Sequence, residues 1–330
     1  MELVDINYKP LDSYSEAKFN RLRDYLAEKD REGDILLVYR GEEIKNIKKR
    51  LFKVPGNGTD NELFEKLFLI GDKARHLHLD SNANDRGALT GLNDCSQKTF
   101  EYIFRRLQNI CQGSMSQKVK EHTSRKFQKY FLDDNNISNF FASANRAFND
   151  KSLLKIRDYY LYLLHAAGSE GVRVETTLVS TSTNKKIAYQ FSKLHQNAKN
   201  KVVFHYFIPA PFYKLAIAPW VSEHHQSIVV SCCLPTYKPY GLFPHQNEVA
   251  VKGALFPHFI IGVELLDKKQ FLVNSHALEL DEKHFDSITR SGFDIDQSSF
   301  AQRILDTAYL AYGQTDLDGN YQQINIQQTV

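Results

Sequence analysis

The chain has 330 residues, 42% of them apolar and 12% aromatic, which is ample for a buried core and excludes a disordered chain. Its 42 Lys and Arg stand against 39 Asp and Glu, a net charge of +3, and this near balance argues against a dedicated nucleic-acid binder. The opening residues MELVDINYKPLDSYSE contain no basic stretch followed by an apolar run, and no segment reaches the roughly 20 apolar residues that span a bilayer, so we expect a soluble chain without a membrane span. Cys95, Cys111, Cys232 and Cys233 have no CxxC spacing, which implies reduced thiols and synthesis in a cytosol; a protein exported without an N-terminal signal has the same pattern.

In chain order, Phe19, Leu22, Tyr25 and Leu26 recur at three-and-four spacing and predict a helix over 15–29. Ile35 to Tyr39 is an unbroken apolar run, predicted as a buried strand ending at Arg40. From about Glu42 to Ala167 the pattern is almost wholly helical, with helices predicted over 61–69, 97–111, 118–132 and 152–167. After Gly168, short runs of Val, Ile, Phe and Tyr predict strands over 201–208, 226–232, 248–251 and 258–265, with a helix over 185–194 among them. Helices over 281–289 and 298–312 then lead to GQTDLDGNYQQINIQQTV, which is polar and has little to bury.

Three segments carry chemistry because each puts a different group beside a predicted strand. The first is Val38-Tyr39-Arg40-Gly41, a lone arginine at a strand end. The second is Val179-Ser180-Thr181-Ser182-Thr183, followed by an amphipathic helix with Tyr189-Gln190-Phe191-Ser192. The third is Gln246-Asn247-Glu248-Val249-Ala250-Val251, with the apolar strand Phe259 to Glu264 soon after.

In that order the segments resemble the mono-ADP-ribosyltransferase superfamily, in its arginine, Ser-Thr-Ser and Gln-x-Glu branch. The resemblance covers residues 35–41 and about 172–271 and leaves out the helical stretch between them. It implies an α+β fold, a split mixed β-sheet core with flanking helices and, here, a large helical insertion. The expected organisation is an N-terminal helix and first core strand with Arg40 in 1–60, the helical insertion in 61–170, the rest of the catalytic β core in 171–275, helices in 276–312 and a mobile tail in 313–330.

The implied reaction is cleavage of the bond between nicotinamide and ribose in NAD, the co-substrate, with transfer of ADP-ribose to a macromolecular acceptor. A protein side chain is expected ahead of a nucleobase. Cleavage leaves an oxocarbenium-like ribose, which a fixed carboxylate stabilises; Glu248 is the residue expected to do so. Arg40 carries a permanent planar charge suited to the pyrophosphate, with Gly41 beside it on the cofactor side. Ser180 and Ser182 are expected to hold the glutamate and brace the arginine, with Thr181 turned toward the sheet. Phe191 is expected near the nicotinamide ring or in the core.

Gln246 stands where arginine-modifying members carry a glutamate, and an amide cannot act as a general base, so arginine is disfavoured as the acceptor. Gln246 is expected to share a strand face with Glu248, two residues on, and to orient the acceptor together with Tyr240 and Phe243 of the proline-rich loop before it. The resemblance associates such enzymes with bacterial toxins and effectors, made in a bacterial cytosol and in some cases delivered into host cells. The alternatives are an NAD glycohydrolase using the same site and a helical interaction protein on an inactive core.

Other features carry less. His76-Leu77-His78-Leu79-Asp80 has a metal-ligand spacing but no second cluster to complete it, so no metal is expected. His224-His225 reads as a loop, and Asp316 to Asn320 lacks the glutamate of a calcium loop. The basic stretches 45–50 and 118–129 read as solvated helix faces.

Overall fold

The computed structural model describes residues 1–52, 58–72, 95–113, 115, 117–167, 178–193, 200–209, 216–217, 222–238, 246–252, 255, 259–279, 312–315 and 321–324. In chain order they form β1 (Glu2–Val4), α1 (Ser13–Glu32), β2 (Ile35–Glu43), α2 (Ile44–Leu51), α3 (Asp60–Ile70), α4 (Gln97–Gln112), α5 (Gln117–His122), α6 (Arg125–Leu132), α7 (Asn136–Ala144), α8 (Asp150–Ala167) and β3 (Leu178–Ser182). There follow α9 (Lys185–Lys193), β4 (Lys201–Pro209), β5 (Ala216–Ile217), α10 (Ser222–Ser231), β6 (Glu248–Lys252), β7 (Ile260–Leu265), β8 (Gln270–Val273), a 3-10 turn (Ser275–Glu279), β9 (Tyr312–Thr315) and β10 (Tyr321–Ile324). The fold is mixed α and β. Its chain divides into two compact units, Met1–Asp80 with Val179–Ala216 and Gly253–Val330, and Ser81–Leu178 with Ile217–Lys252.

In the first unit the strands run in the order β1-β8-β7-β4-β2-β3. The sheet is mixed, because β1 joins β8 in parallel while the other pairs are antiparallel. β2 extends four residues beyond the apolar run that predicts it. Arg40, Gly41, Glu42 and Glu43 pair in register with Phe204, Val203, Val202 and Lys201 of β4, so the ladder carries the polar end along and Arg40 lies inside the strand. Helix α1 begins where the Asp12 side chain accepts from Ser15 N at 2.8 Å and ends at Gly33, whose φ of +81° suits glycine. It buries Phe19, Leu22 and Leu26, and the Phe19 ring lies 5.3 Å from that of Phe271 on β8.

The second unit holds α4 to α8, α10 and β6. Phe100, Phe104, Phe127, Phe131, Phe140 and Tyr160 form an aromatic core, with the Phe127 and Phe131 rings 4.8 Å apart and Phe140 and Tyr160 5.1 Å apart. The expected helix 118–132 is two helices. Ser124 accepts from Phe127 N at 3.0 Å and restarts the helix as a new cap, while Thr123 leaves to bridge Tyr237. The expected strand 226–232 is helix α10. Its β-branched Ile228, Val229 and Val230 suggest a strand, but buried His225, Val229 and Cys232 follow helical spacing, and Val230 is exposed. Packing against α8 overrides local preference.

The division also departs from the expected organisation. Residues 81–178 share a unit with 217–252, and therefore with Glu248, while residues 61–80 fall in the unit that holds Arg40 and Ser180. In the segment expected to be a tail, Tyr312–Thr315 and Tyr321–Ile324 pair antiparallel. The predicted helix 281–289 lies outside the described residues, as does 298–312 except for Tyr312.

Candidate functional site

Arg40 is largely buried, its side chain 13% exposed, and every nitrogen of its guanidinium has an acceptor nearby. Nη1 donates to the Ser180 carbonyl at 2.7 Å, Nη2 donates to Glu42 Oε2 at 2.7 Å, and Nε faces Asp72 Oδ2 at 3.5 Å. Two carboxylates thus offset one fixed positive charge, and each terminal nitrogen keeps one N–H for a ligand. Asp72 is fully buried and is fixed through reciprocal backbone hydrogen bonds with Leu255, both 3.0 Å.

The Ser-Thr-Ser segment ends β3 and starts the next helix. Ser180 meets the arginine through its backbone carbonyl rather than through the expected hydroxyl. Ser182 Oγ accepts from Asn184 N at 3.0 Å, and Asn184 Oδ1 accepts from Lys186 N at 3.0 Å, which turns the chain into α9. Thr181 and Ser182 are buried. Gly41 has a packing reason for being glycine: a Cβ there would stand 1.9 Å from the Ala188 carbonyl oxygen and 2.8 Å from Ser192 N. Helix α9 therefore lies directly on β2 at the residue after Arg40. Phe191 on that helix is 44% exposed, so its ring is not part of the core.

Glu248 opens β6 in the second unit and is 7% exposed. Tyr162 Oη donates to its Oε2 at 3.3 Å, and His165 Nε2 lies 3.5 Å from its Oε1. Both come from one face of α8, three residues apart. Burial and the Glu248 charge push the Tyr162 phenol far above its ordinary pKa, so the hydroxyl stays protonated as a donor. The neighbouring loop is tied to the same helix. Tyr237 N donates to Tyr159 Oη at 2.8 Å, Tyr159 Oη donates to Tyr237 O at 2.6 Å, and Tyr160 Oη donates to Pro235 O at 2.7 Å. Leaving such buried groups unmet costs about 1–3 kcal/mol each.

Gln246 is not on the strand. Asn247 has φ of +44°, a left-handed conformation that asparagine tolerates better than most residues, and β6 begins only after it. The expectation that Gln246 and Glu248 share a strand face therefore fails, because alternation starts beyond the kink.

The described residues bring Arg40 together with Ser180, and Glu248 together with Tyr162 and His165. Tyr240, Phe243, His76, His78 and the 316–320 segment lie outside the described residues. His224-His225, expected as a loop, lies in α10.

Sequence reading missed both α8 partners of Glu248, although two polar groups inside the apolar run Tyr159 to Ala166 were a visible signal. It also missed a second cluster, in the first unit. Glu264 on β7, 2% exposed, receives a hydrogen bond from Tyr189 Oη, lies 3.2 Å from His205 Nε2 and pairs with Lys185 Nζ at 3.0 Å. Burial alone raises its pKa, but hydrogen bonds from His205, Tyr189 and Lys185 outweigh that and bring it down to about 2. A histidine within the apolar β4 run was the signal there.

Among the described residues no group of three or more His, Cys, Asp or Glu is arranged to hold a metal, and no helix is long and apolar enough to cross a membrane. No family model matches the chain, and neither a curated protein nor a solved structure matches it.

Proposed function

We propose that this chain is a mono-ADP-ribosyltransferase that consumes NAD, with Glu248 as its catalytic carboxylate. The observation that carries the proposal is the setting of Glu248: a nearly dehydrated carboxylate at a strand start, with a tyrosine hydroxyl and a histidine ring within reach of its two oxygens. An exposed carboxylate in water would contribute little, whereas one sheltered from water acts strongly on nearby charge.

In the proposed reaction the bond between C1 of the ribose and the nicotinamide nitrogen breaks. The electron pair leaves with nicotinamide, which becomes neutral, and positive charge develops on C1 and the ring oxygen. Glu248 accepts a hydrogen bond from a ribose hydroxyl and sets its negative charge beside that developing cation. The acceptor then forms a bond to C1 and loses its proton. Arg40 is the pyrophosphate ligand, supported by its remaining N–H groups, and Phe191 offers an exposed ring for nicotinamide. Gln246 is assigned to the acceptor side, because an amide orients a target without adding charge next to the sugar. The acceptor is proposed to be a macromolecule, a protein side chain ahead of a nucleobase, and a bacterial toxin or effector setting follows from the family resemblance.

Incubation with NAD labelled in its adenylate portion and a cell lysate tests this directly. The expected result is label on lysate macromolecules that protease removes and nuclease does not. Release of nicotinamide with no macromolecular label would instead make the chain an NAD glycohydrolase, and no nicotinamide release would refute the proposal.

A further inference from the structure

Helix α8 lies in the stretch that the family resemblance does not cover, yet it reaches Glu248. We infer that Tyr162 and His165 are positioning residues, holding the Glu248 carboxylate in the orientation that catalysis needs. This rests on the proposed function of Glu248.

Two observations support it. Tyr162 and His165 are both buried, both on one face of α8, and each addresses a different oxygen of the same carboxylate, at 3.3 Å and 3.5 Å. Contacts to both oxygens fix rotation about the last side-chain bond, which a single contact leaves free. In addition, α8 is itself held rigidly: Tyr159 and Tyr160, on the adjoining turn, are buried and bonded to the backbone of Tyr237 and Pro235. A rigid helix carrying a hydroxyl donor and a nearby imidazole holds the carboxylate rotamer, as contacts behind reactive groups do.

The helical stretch thereby acquires a role in the chemistry of the chain. Tyr162→Phe removes one donor while keeping the ring. His165→Leu removes the polar ring, and His165→Gln returns a polar group at nearly the position of Nε2.

The test follows nicotinamide release by the full chain, with NAD varied and no lysate, alongside thermal unfolding of each variant. Tyr162→Phe and His165→Leu are expected to lower kcat about 10- to 100-fold, with KM for NAD changed less than about three-fold. His165→Gln should recover most of the loss. Placed in a Glu248→Gln background, Tyr162→Phe and His165→Leu should cost no further activity, since they act through the group already removed. The inference is overturned if Tyr162→Phe and His165→Leu, both folded, keep wild-type kcat, or if the losses persist undiminished in the Glu248→Gln background. An inactive wild-type chain would instead defeat the transferase proposal, and the positioning role with it. The two failures are thus told apart by the wild-type rate.

Discussion

Arg40 lies on the strand that its apolar run predicts, but inside that strand rather than at its end, and among unexpected neighbours. A strand-borne arginine was legible in the sequence, because an apolar run led up to it. Its two carboxylate neighbours were not, since Glu42 follows on the same strand and Asp72 arrives through a backbone bridge to Leu255, which no local pattern announces. Those neighbours make a prediction. If Arg40 binds the pyrophosphate, Glu42 competes with it, and Glu42→Gln keeps a hydrogen-bond acceptor while removing the competing charge. Its KM for NAD should fall about three- to ten-fold, in line with a partly screened charge pair a few ångströms apart. A KM that is unchanged or higher, in a protein that still folds, would make Arg40 a structural residue. The Gln246 to Glu248 spacing was misread for a similar reason: a positive φ at Asn247 is a property of one residue that hydrophobic alternation does not reveal.

At the scale of elements, the sequence was most readable where period and burial agree. Helices α1, α3, α4 and α8 and strands β4 and β6 fall close to their predicted spans because their apolar spacing matches the face they bury. It was least readable where a distant segment decides. Helix α10 was misread because β-branched residues outweighed its helical spacing, and the break between α5 and α6 is made by a pairing with Tyr237, over a hundred residues away.

The contact of α9 with β2 leads to a second expectation. Gly41→Ala would push a methyl group into the Ala188 carbonyl, which backbone cannot yield cheaply, so unfolding free energy should fall by about 1–3 kcal/mol. A denaturant melt showing an unchanged midpoint would mean α9 does not press on β2 as described.

The cluster binding α9 to β4 and β7 adds a pH signature. Glu264 has its pKa lowered to about 2, so its stabilisation is complete above the ordinary carboxylate value of 4.5 and is lost as pH falls from there toward 2. His205 is pushed down mainly by burial, so stability also declines as pH drops below its ordinary 6.5. Denaturant melts between pH 7 and pH 3 should show stability falling on acidification in both windows, with Glu264→Gln flattening the lower one. Equal slopes in the two proteins would remove Glu264 from the account.

At the scale of the whole molecule, the mixed α and β class was legible from the change of pattern near Gly168, but the division into units was not. The sequence suggests a β core interrupted by helices, whereas contacts group residues 217–252 with those helices. Helix packing of α10 on α8 and the tyrosine bonds to 235–237 explain the grouping, and both are long-range. Residues 81–178 then belong with Glu248 rather than apart from it.

The most direct test of Glu248 as the catalytic carboxylate compares the wild-type chain with Glu248→Gln, following both nicotinamide release and NAD binding by calorimetry. The substitution keeps the size of the side chain and removes its charge, so NAD binding should change by less than a few-fold while turnover falls by about 100-fold or more. Wild-type turnover in Glu248→Gln would contradict the assignment.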